Sequence, residues 1–244
     1  MIKQRVGTSI FGIVSIGLLW QLLAVITGNR AVPTPIQVMK EIWEIKQPLL
    51  LHAGASAARI SVALLFALIV GLPLGILLSR SRWFGRLFGP ILYFLYPLPK
   101  VAFLPVFMIF FGLGNLSKVL LIFSIISIQV IVSIRDSVNQ IPAGYYQVME
   151  NYHSTKLQVF QQLLFPALIP ALISSLRVST GISLAALFFA ENYNTTFGLG
   201  YLILSAWTKM NYEEMFAGIV MIGLLGFALF SLFDSLERKM CTYK

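Results

Sequence analysis

Residues 60–79 have the sequence ISVALLFALIVGLPLGILLS, twenty consecutive residues without a charge. A helix needs about 20 apolar residues to cross the hydrocarbon core of a membrane. The composition agrees, since 58% of the 244 residues are hydrophobic, only 11% are charged, and the mean hydropathy is +0.84. Too little polar surface is available to cover a soluble globule. The chain is predicted to be an all-α polytopic membrane protein.

Other apolar stretches of similar length flank this one. They cover residues 6–27, 87–111, 119–134, 163–190 and 216–233. We therefore predict six membrane spans in one domain over residues 1–244. The basic N-terminus followed by an apolar run also suggests a cleavable signal, but that run is long and no small-residue cleavage site follows it. The first run is therefore predicted to be a retained span.

The orientation follows from Lys and Arg in the connections, because positively charged loops tend to stay in the cytoplasm. One set of connections carries Lys3, Arg5, Arg80, Arg82, Arg86, Arg135, Lys156, Arg238, Lys239 and Lys244. The other set carries Lys118 and Lys209, with Arg30, Lys40, Lys46 and Arg59 in a longer first loop. Both termini are therefore expected in the cytoplasm. This topology also accounts for the net charge of +9, so nucleic-acid binding is not predicted.

The longest connection predicted to be cytoplasmic covers about residues 135–162. Its apolar residues Tyr145, Val148, Met149 and Tyr152 recur at helical spacing, and Leu157 and Phe160 continue a similar pattern. Three interpretations remain for this stripe: packing on the protein's own spans, lying in the membrane interface, or docking in the groove of a partner protein.

The segment from Gln147 to Arg177, QVMENYHSTKLQVFQQLLFPALIPALISSLR, resembles the EAA loop of binding-protein-dependent ABC importer permeases. That pattern is Glu-Ala-Ala, three residues, Gly, and an apolar run containing prolines that ends in Gly-Leu-Arg. The tail of the segment matches the pattern. The head departs from it, because Gln147, Val148 and Met149 replace Glu-Ala-Ala and His153 replaces the glycine.

Further segments resemble the permeases of nitrate, sulfonate, taurine and pyrimidine-type importers. In chain order they are VPTPIQVMKEIW, HAGASAARISVALLFALIVGLPLG, YPLPKVAFLPVFMIFFGLG and AENYNTTFGLGYLI. The resemblance implies a type I importer (MetI-like) permease fold in a bacterial inner membrane. It also implies two permease copies, two ATP-binding-cassette ATPase subunits and an extracytoplasmic solute-binding protein. The chain has no GxxxxGK[ST] phosphate loop, so ATP-Mg is expected only in the partner ATPase, with no cofactor or metal held by this chain.

Two cations lie within predicted spans, Lys100 in the third and Arg177 in the fifth. Neither is expected to face lipid, because a charge in hydrocarbon is costly. No acidic residue lies deep within a predicted span, so we expect neither cation to have a counter-ion in its own chain. An anionic substrate would supply that charge. The alternative is that each cation reaches backbone carbonyls or extends to an interface.

The fifth span carries Ser174, Thr180 and Glu191 on the same predicted face as Arg177. These residues are candidates for lining the substrate pathway, although small hydroxylic residues also serve close helix packing. In the third span Pro97, Pro99 and Pro105 each remove a backbone donor, so a broken helix is predicted there. Residues 197–207 are predicted to form a short helix or re-entrant segment at the outer surface.

Two other functions have less support. An intramembrane enzyme would need a nucleophile beside a base, but His52 and His153 fall on opposite sides of the predicted topology and Cys241 has no nearby His. A passive channel gives no reason for the amphipathic loop. We therefore predict the permease subunit of an importer for a small solute, an anion such as nitrate, a sulfonate or taurine, with a neutral or pyrimidine-like solute as the alternative.

Overall fold

The computed structural model describes the backbone of residues 2–241 and the burial of residue 12 and of residues 14–241. The described chain is helical throughout, without a β-strand. The first half consists of α1 (Ile2–Thr27), α2 (Pro35–Glu44), α3 (Lys46–Arg80), α4 (Arg82–Leu95) and α5 (Leu104–Phe111). The second half consists of α6 (Asn115–Asn139), α7 (Ala143–Asn151), α8 (Lys156–Gln158), α9 (Phe165–Glu191), α10 (Leu199–Thr208) and α11 (Tyr212–Met240).

Four helical runs in the described residues are long and apolar enough to cross a membrane: α3, α6, the run from Lys156 through α9, and α11. The third predicted span forms two helices that bend by 93° and count as a fifth crossing if taken together. The span predicted at residues 6–27 falls within α1, whose described apolar part is the shorter stretch Val14–Thr27. The structure thus agrees with the all-α class, and the count of six is approximate.

The three central helices are α3, α6 and α9, with α6 packed between the other two. Their contact forms the main hydrophobic core, which includes Ile60, Ile126 and Leu168. Gly71 and Gly75 lie where α3 crosses α6, and a Cβ atom at Gly75 would lie 2.7 Å from Cβ of Ile134 and 2.9 Å from the carbonyl oxygen of Ile131. The small residues of α3 therefore permit close packing within one chain, as is common for membrane helices.

The break in the third span follows from its prolines, as predicted. The first helix of the pair, α4, ends at Leu95, just before Pro97 and Pro99, and a 3-10 turn (Lys100–Phe103) comes next. Pro105 then falls in the first turn of α5, where a missing backbone donor costs nothing. The chain therefore carries Lys100 at a bend, with freed backbone groups around it.

The helix bundle has two ends, the Glu191 end and the α7 end. The Glu191 end holds the start of α3, the start of α6, the end of α9, and α10. The α7 end holds the end of α3, the end of α6, α7 and the start of α9. The short helix predicted within residues 197–207 is observed as α10, at the Glu191 end. A π-helical segment, Val159–Leu164, joins α8 to α9 at the α7 end, just before Pro166.

Candidate functional site: a cationic bend and a buried ion pair

Lys100 lies beside a cavity of about 300 Å³ between the bend, α6 and α9. Its ammonium donates a hydrogen bond to the carbonyl oxygen of Tyr96, one of the groups freed by the broken helix. The hydroxyl of Tyr96 donates in turn to Oε1 of Gln129 at 3.1 Å. Ser179 of α9 also lines the cavity. Among the residues that the structure describes, no Asp or Glu lines it.

Arg177 has a different environment from the one expected. Its Nη2 contacts Oδ1 of Asp234 at 2.5 Å and Oε2 of Glu237 at 2.8 Å. The expectation that Arg177 has no counter-ion in its own chain is therefore wrong. The reason is that α11 continues to Met240, beyond the predicted span 216–233, and its last turns bring both carboxylates to α9.

The other candidates on α9 do not share one environment. Ser174 is exposed, Arg177 is half-buried, and Thr180 and Glu191 are buried. The hydroxyl of Thr180 donates to the carbonyl oxygen of Leu176 at 2.7 Å, within its own helix. The spacing along α9 therefore predicted one common face. In the structure, these residues range from an exposed position at Ser174 to buried positions in helix contacts at Thr180 and Glu191.

Glu191 is fully buried and pairs with Arg59 of α3 at the Glu191 end of the bundle. Nη1 of Arg59 lies 2.5 Å from one carboxylate oxygen, and the hydroxyl of Ser56 donates to the same carboxylate at 2.8 Å. The backbone N–H of Gly200 donates to Glu191 at 2.8 Å. Every one of these donors is directed at a buried charge, which is the arrangement that a buried ion pair requires.

The segment before α10 is held by the same cluster. The backbone N–H of Leu199 donates to the Ser56 hydroxyl at 2.8 Å, and that of Gly198 donates to Nδ1 of His52 at 3.0 Å. A Cβ atom at Gly198 would lie 2.5 Å from the Glu191 carboxyl carbon, so only glycine fits. The cluster therefore fixes α10 against α3 and α9.

Lys118 extends this cluster on α6, where it is 1% exposed. Its ammonium donates to the carbonyl oxygens of Leu113 at 3.0 Å and of Gly114 and Asn194 at 3.3 Å. Nε of Arg59 donates to Oδ1 of Asn115, one turn before Lys118, at 2.9 Å. Arg59 and Lys118 lie in helices and not in the loops predicted for them, because α3 and α6 begin earlier than the apolar stretches.

The small residues of the segment HAGASAARI were the one sequence feature that could have indicated the cluster around Arg59 and Glu191. Ala53, Gly54, Ala55, Ala57 and Ala58 surround Ser56 and Arg59, and such residues let helices approach closely. Close approach at a charged position implies a partner for the charge. The identity of the partner, 132 residues away in sequence, was not available from this pattern.

At the α7 end, the predicted amphipathic helix is observed as α7. Tyr145, Val148 and Tyr152 are 59%, 51% and 81% exposed, and Leu157 just beyond is 63% exposed. We call these four residues the α7 surface. Met149 is half-buried, and Gln147 and His153 are exposed. Packing on the protein's own helices is carried by other side chains, since Tyr146 and Phe160 contact the main core.

The end of α7 explains the glycine of the EAA pattern. His153 has φ +50°, a left-handed conformation that glycine adopts without strain. The backbone N–H of Ser154 donates to the carbonyl oxygen of Met149 at 3.0 Å, and that of His153 to Glu150 at 2.8 Å. These two bonds form a Schellman motif, whose left-handed position is usually glycine.

Comparison with known proteins agrees with this arrangement. Residues 48–241 match the family described as "Binding-protein-dependent transport system inner membrane component". The taurine transport system permease protein TauC of Escherichia coli is 30% identical over 215 residues, covering 85% of this chain and 78% of TauC. The nitrate import permease protein NrtB of Leptolyngbya laminosa is 29% identical over 250 residues, covering 98% of this chain and 88% of NrtB.

A solved structure shares the fold. It is described as an inward-facing conformation of the MetNI methionine ABC transporter, and its matched chain superposes with a TM-score of 0.67 at 17% identity, covering 81% of this chain and 98% of that one. The family match covers most of the present chain, from residue 48 near the start of α3 through the end of α11. The chain therefore belongs to the family of inner-membrane components of binding-protein-dependent transport systems, and it is the permease subunit of an ABC importer, not an enzyme.

Proposed function

We propose that this permease moves a small anion through a pathway that passes the cavity beside Lys100. The main support is the environment of the Lys100 ammonium, which lies at a bend within apolar helices. It contacts a carbonyl oxygen, and the described residues that line the cavity include no carboxylate. A cation is costly in a low-dielectric setting, and an anion in the cavity offsets that cost. The side-chain amide of Gln129, which also lines the cavity, adds a neutral donor for the oxygen atoms of an anion.

The names of the relatives support the same substrate class. TauC and NrtB are named for taurine and nitrate. Taurine carries a sulfonate and nitrate is an oxyanion, so both offer negatively charged oxygen atoms to an ammonium. We infer a small oxyanion or sulfonate for this chain.

We also propose that the α7 end faces the cytoplasm. Arg80, Arg82 and Arg135 lie at this end and follow the tendency of positive residues to stay inside. Two of the positive charges counted in the opposite set of connections, Arg59 and Lys118, are buried in helix contacts and do not count as loop charges. The N-terminus and C-terminus are then both cytoplasmic.

At the cytoplasmic end, the α7 surface is proposed to dock the partner ATPase. Four large apolar side chains exposed on and beside a short helix favour a groove on a partner protein. The chain has no phosphate loop, so ATP-Mg would bind to that partner and energy would reach the permease through this contact. A second copy of the permease would complete the pathway, and a solute-binding protein would deliver the anion from the opposite side.

The substrate proposal is tested by Lys100→Gln in the assembled transporter, with uptake of labelled nitrate, taurine and an alkanesulfonate measured in proteoliposomes. We expect uptake to fall at least tenfold, because the cavity loses its charge. Lys209→Gln, at an exposed position after α10, is the matched control and should leave uptake unchanged. Unchanged anion uptake in Lys100→Gln contradicts the proposal.

The docking proposal is tested by Val148→Glu, which puts a charge in the centre of the α7 surface. The ATPase should no longer co-purify with the permease in mild detergent. Asn151→Glu adds the same charge at an exposed polar position of α7 and should retain the ATPase. Equal retention by both variants would mean that the α7 surface rests on the membrane and not on the ATPase.

A further inference from the structure

A second and larger cavity lies at the Glu191 end of the bundle. It has a volume of about 480 Å³ and lies between the first turns of α3, the start of α6 and the segment from residue 194 to residue 197. It is separate from the cavity beside Lys100, with which it shares no lining residue. Gln129 of the Lys100 cavity and Lys118 of this one are eleven residues apart on α6, about 16 Å along the helix.

Two cations form the wall of this cavity. Arg59 and Lys118 both line it, and they are 7% and 1% exposed. The only carboxylate in contact with them among the described residues is Glu191, which is fully buried behind Arg59 and does not line the cavity. Two positive charges therefore stand against one negative charge at the wall of this cavity.

The cations are held in place by the protein and do not depend on a ligand for their position. All three ammonium hydrogens of Lys118 are directed at backbone carbonyls, so its charge is fixed at the wall. Arg59 uses Nε and Nη1 for Asn115 and Glu191, and Nη2 has no acceptor in the described part of the chain. A guanidinium with a free donor beside a fixed ammonium is suited to an oxyanion.

The remaining polar side chains of the lining are neutral. Asn115, Asn194, Thr195 and Thr196 all line the cavity. None of them carries a negative charge, so no carboxylate of the lining repels an anion that enters the cavity. Leu51, Ala55 and Phe197 complete the wall on the apolar side.

We propose that this cavity is an anion-binding site, in which a small oxyanion or sulfonate binds between Arg59 and Lys118 before it reaches the Lys100 cavity. This inference rests on the proposed function for its direction of transport, whereas binding itself depends only on the cavity. Arg59 and Lys118 supply the charge, and the free Nη2 donor of Arg59 contacts the anion's oxygen atoms. The pathway then has two successive cationic sites along one face of α6.

The binding site is tested by cysteine modification of the purified full chain in lipid nanodiscs. Thr196→Cys is introduced at the cavity wall after Cys241→Ser has removed the native thiol. The rates of reaction with a sulfonate-bearing methanethiosulfonate and with its trimethylammonium analogue are then measured, each normalised to a free thiol in solution. We expect the anionic reagent to be preferred about tenfold, because a cleft lined by one sign of charge concentrates the opposite ion.

Two neighbouring leucines provide a matched pair of variants. Leu51 lines the cavity and is 62% exposed, whereas Leu50 does not line it and is 63% exposed. Leu51→Glu should abolish the preference for the anionic reagent, and Leu50→Glu should leave it intact. Because both side chains are exposed, neither variant disturbs the core. Nitrate or methanesulfonate, replacing gluconate at constant ionic strength, should slow the anionic reagent in the parent protein.

Equal rates for the two reagents in the parent, or an equal effect of the two glutamates, would overturn the proposed binding site. Uptake by the assembled transporter is measured in parallel and separates the two proposals. Anion uptake that depends on Lys100, without a reagent preference, refutes only this second site. A reagent preference in a transporter that takes up no anion refutes the proposed substrate and leaves the binding site in place.

Discussion

His153 carries a conformational cost at the end of α7. A left-handed backbone costs a residue with a side chain on the order of 1 kcal/mol, and glycine avoids this cost. His153→Gly should therefore raise the free energy of unfolding by about 0.5–1 kcal/mol, after the larger chain entropy of glycine is subtracted. Thermal unfolding in detergent should shift upward by about 1–4 °C. His153→Ala is the control and should show no gain; an equal gain for alanine would mean that the imidazole itself, not the backbone, is unfavourable.

Glu191 is the residue whose loss should be most damaging at the opposite end. Glu191→Gln leaves Arg59 buried without a carboxylate, and breaking such a pair costs about 3–5 kcal/mol. We expect a loss near the lower end of this range, because the amide keeps part of the hydrogen bonding. Glu150→Gln, at an exposed position in α7, serves as the control. A Glu191→Gln protein as stable as this control would show that the ion pair contributes nothing to the fold.

The sequence predicts individual residues well where the reason is local and poorly where it is not. The prolines of the third span predict its break, because each removes a donor at its own position. Glu191 was placed on the pathway face of α9, because helical spacing cannot reveal Arg59 on another helix. Arg177 was expected to be unpaired for the same reason, since its partners lie in the last turns of α11.

At the scale of helices, the contact between α3 and α6 depends on Gly75. A methyl group there would lie 2.9 Å from the Ile131 carbonyl oxygen, and backbone cannot move as a side chain can. Gly75→Ala should lower the free energy of unfolding by about 1–3 kcal/mol through overpacking. Gly54→Ala, on the same helix with nothing within 4 Å, should instead be neutral or slightly stabilising. Equal effects of the two substitutions would contradict close packing at the crossing.

Hydropathy located the spans but not the helix ends. The second span was predicted to begin at Ile60, whereas α3 begins at Lys46 and is 35 residues long. At 1.5 Å per residue this is about 52 Å, well beyond the roughly 30 Å of hydrocarbon. Apolar runs mark where lipid or protein excludes water, whereas the helix itself extends beyond the apolar run at its N-terminal end. The cluster around Arg59 lies in this extension, so the apolar stretch alone predicts a loop there.

At the scale of the whole molecule, acidic residues meet where α2 packs on α11. Burial raises the pKa of Glu41 above its ordinary value of 4.5, and repulsion from Glu44, Glu214 and Glu213 raises it further. Because the folded state holds this proton more tightly than the unfolded state, stability should fall as the pH rises from 4.5 through the raised pKa. Glu41→Gln should therefore stabilise the protein at pH 8 and have little effect at pH 4, as measured by thermal unfolding in detergent.

The matched control for this prediction is again Glu150→Gln, which should show no difference between the two pH values. A stabilisation by Glu41→Gln that is the same at pH 4 and pH 8 would mean that repulsion between the charges is not its cause. The arrangement of α2 beside α11 was not predictable from the sequence, since their acidic residues lie far apart in the chain. The membrane class and the EAA-type loop were predictable, because each depends on a continuous segment.

The pair between Arg59 and Glu191 also constrains how the protein is made. The two residues are 132 positions apart, so at 5–20 residues per second a ribosome needs on the order of 10 s to synthesise the second after the first. During that interval the helix bearing Arg59 is already emerging without its carboxylate. Residues 60–79 must hold it in the bilayer by hydrophobicity alone, and the segment before α10 can close over the bundle only after the fifth apolar stretch has been translated.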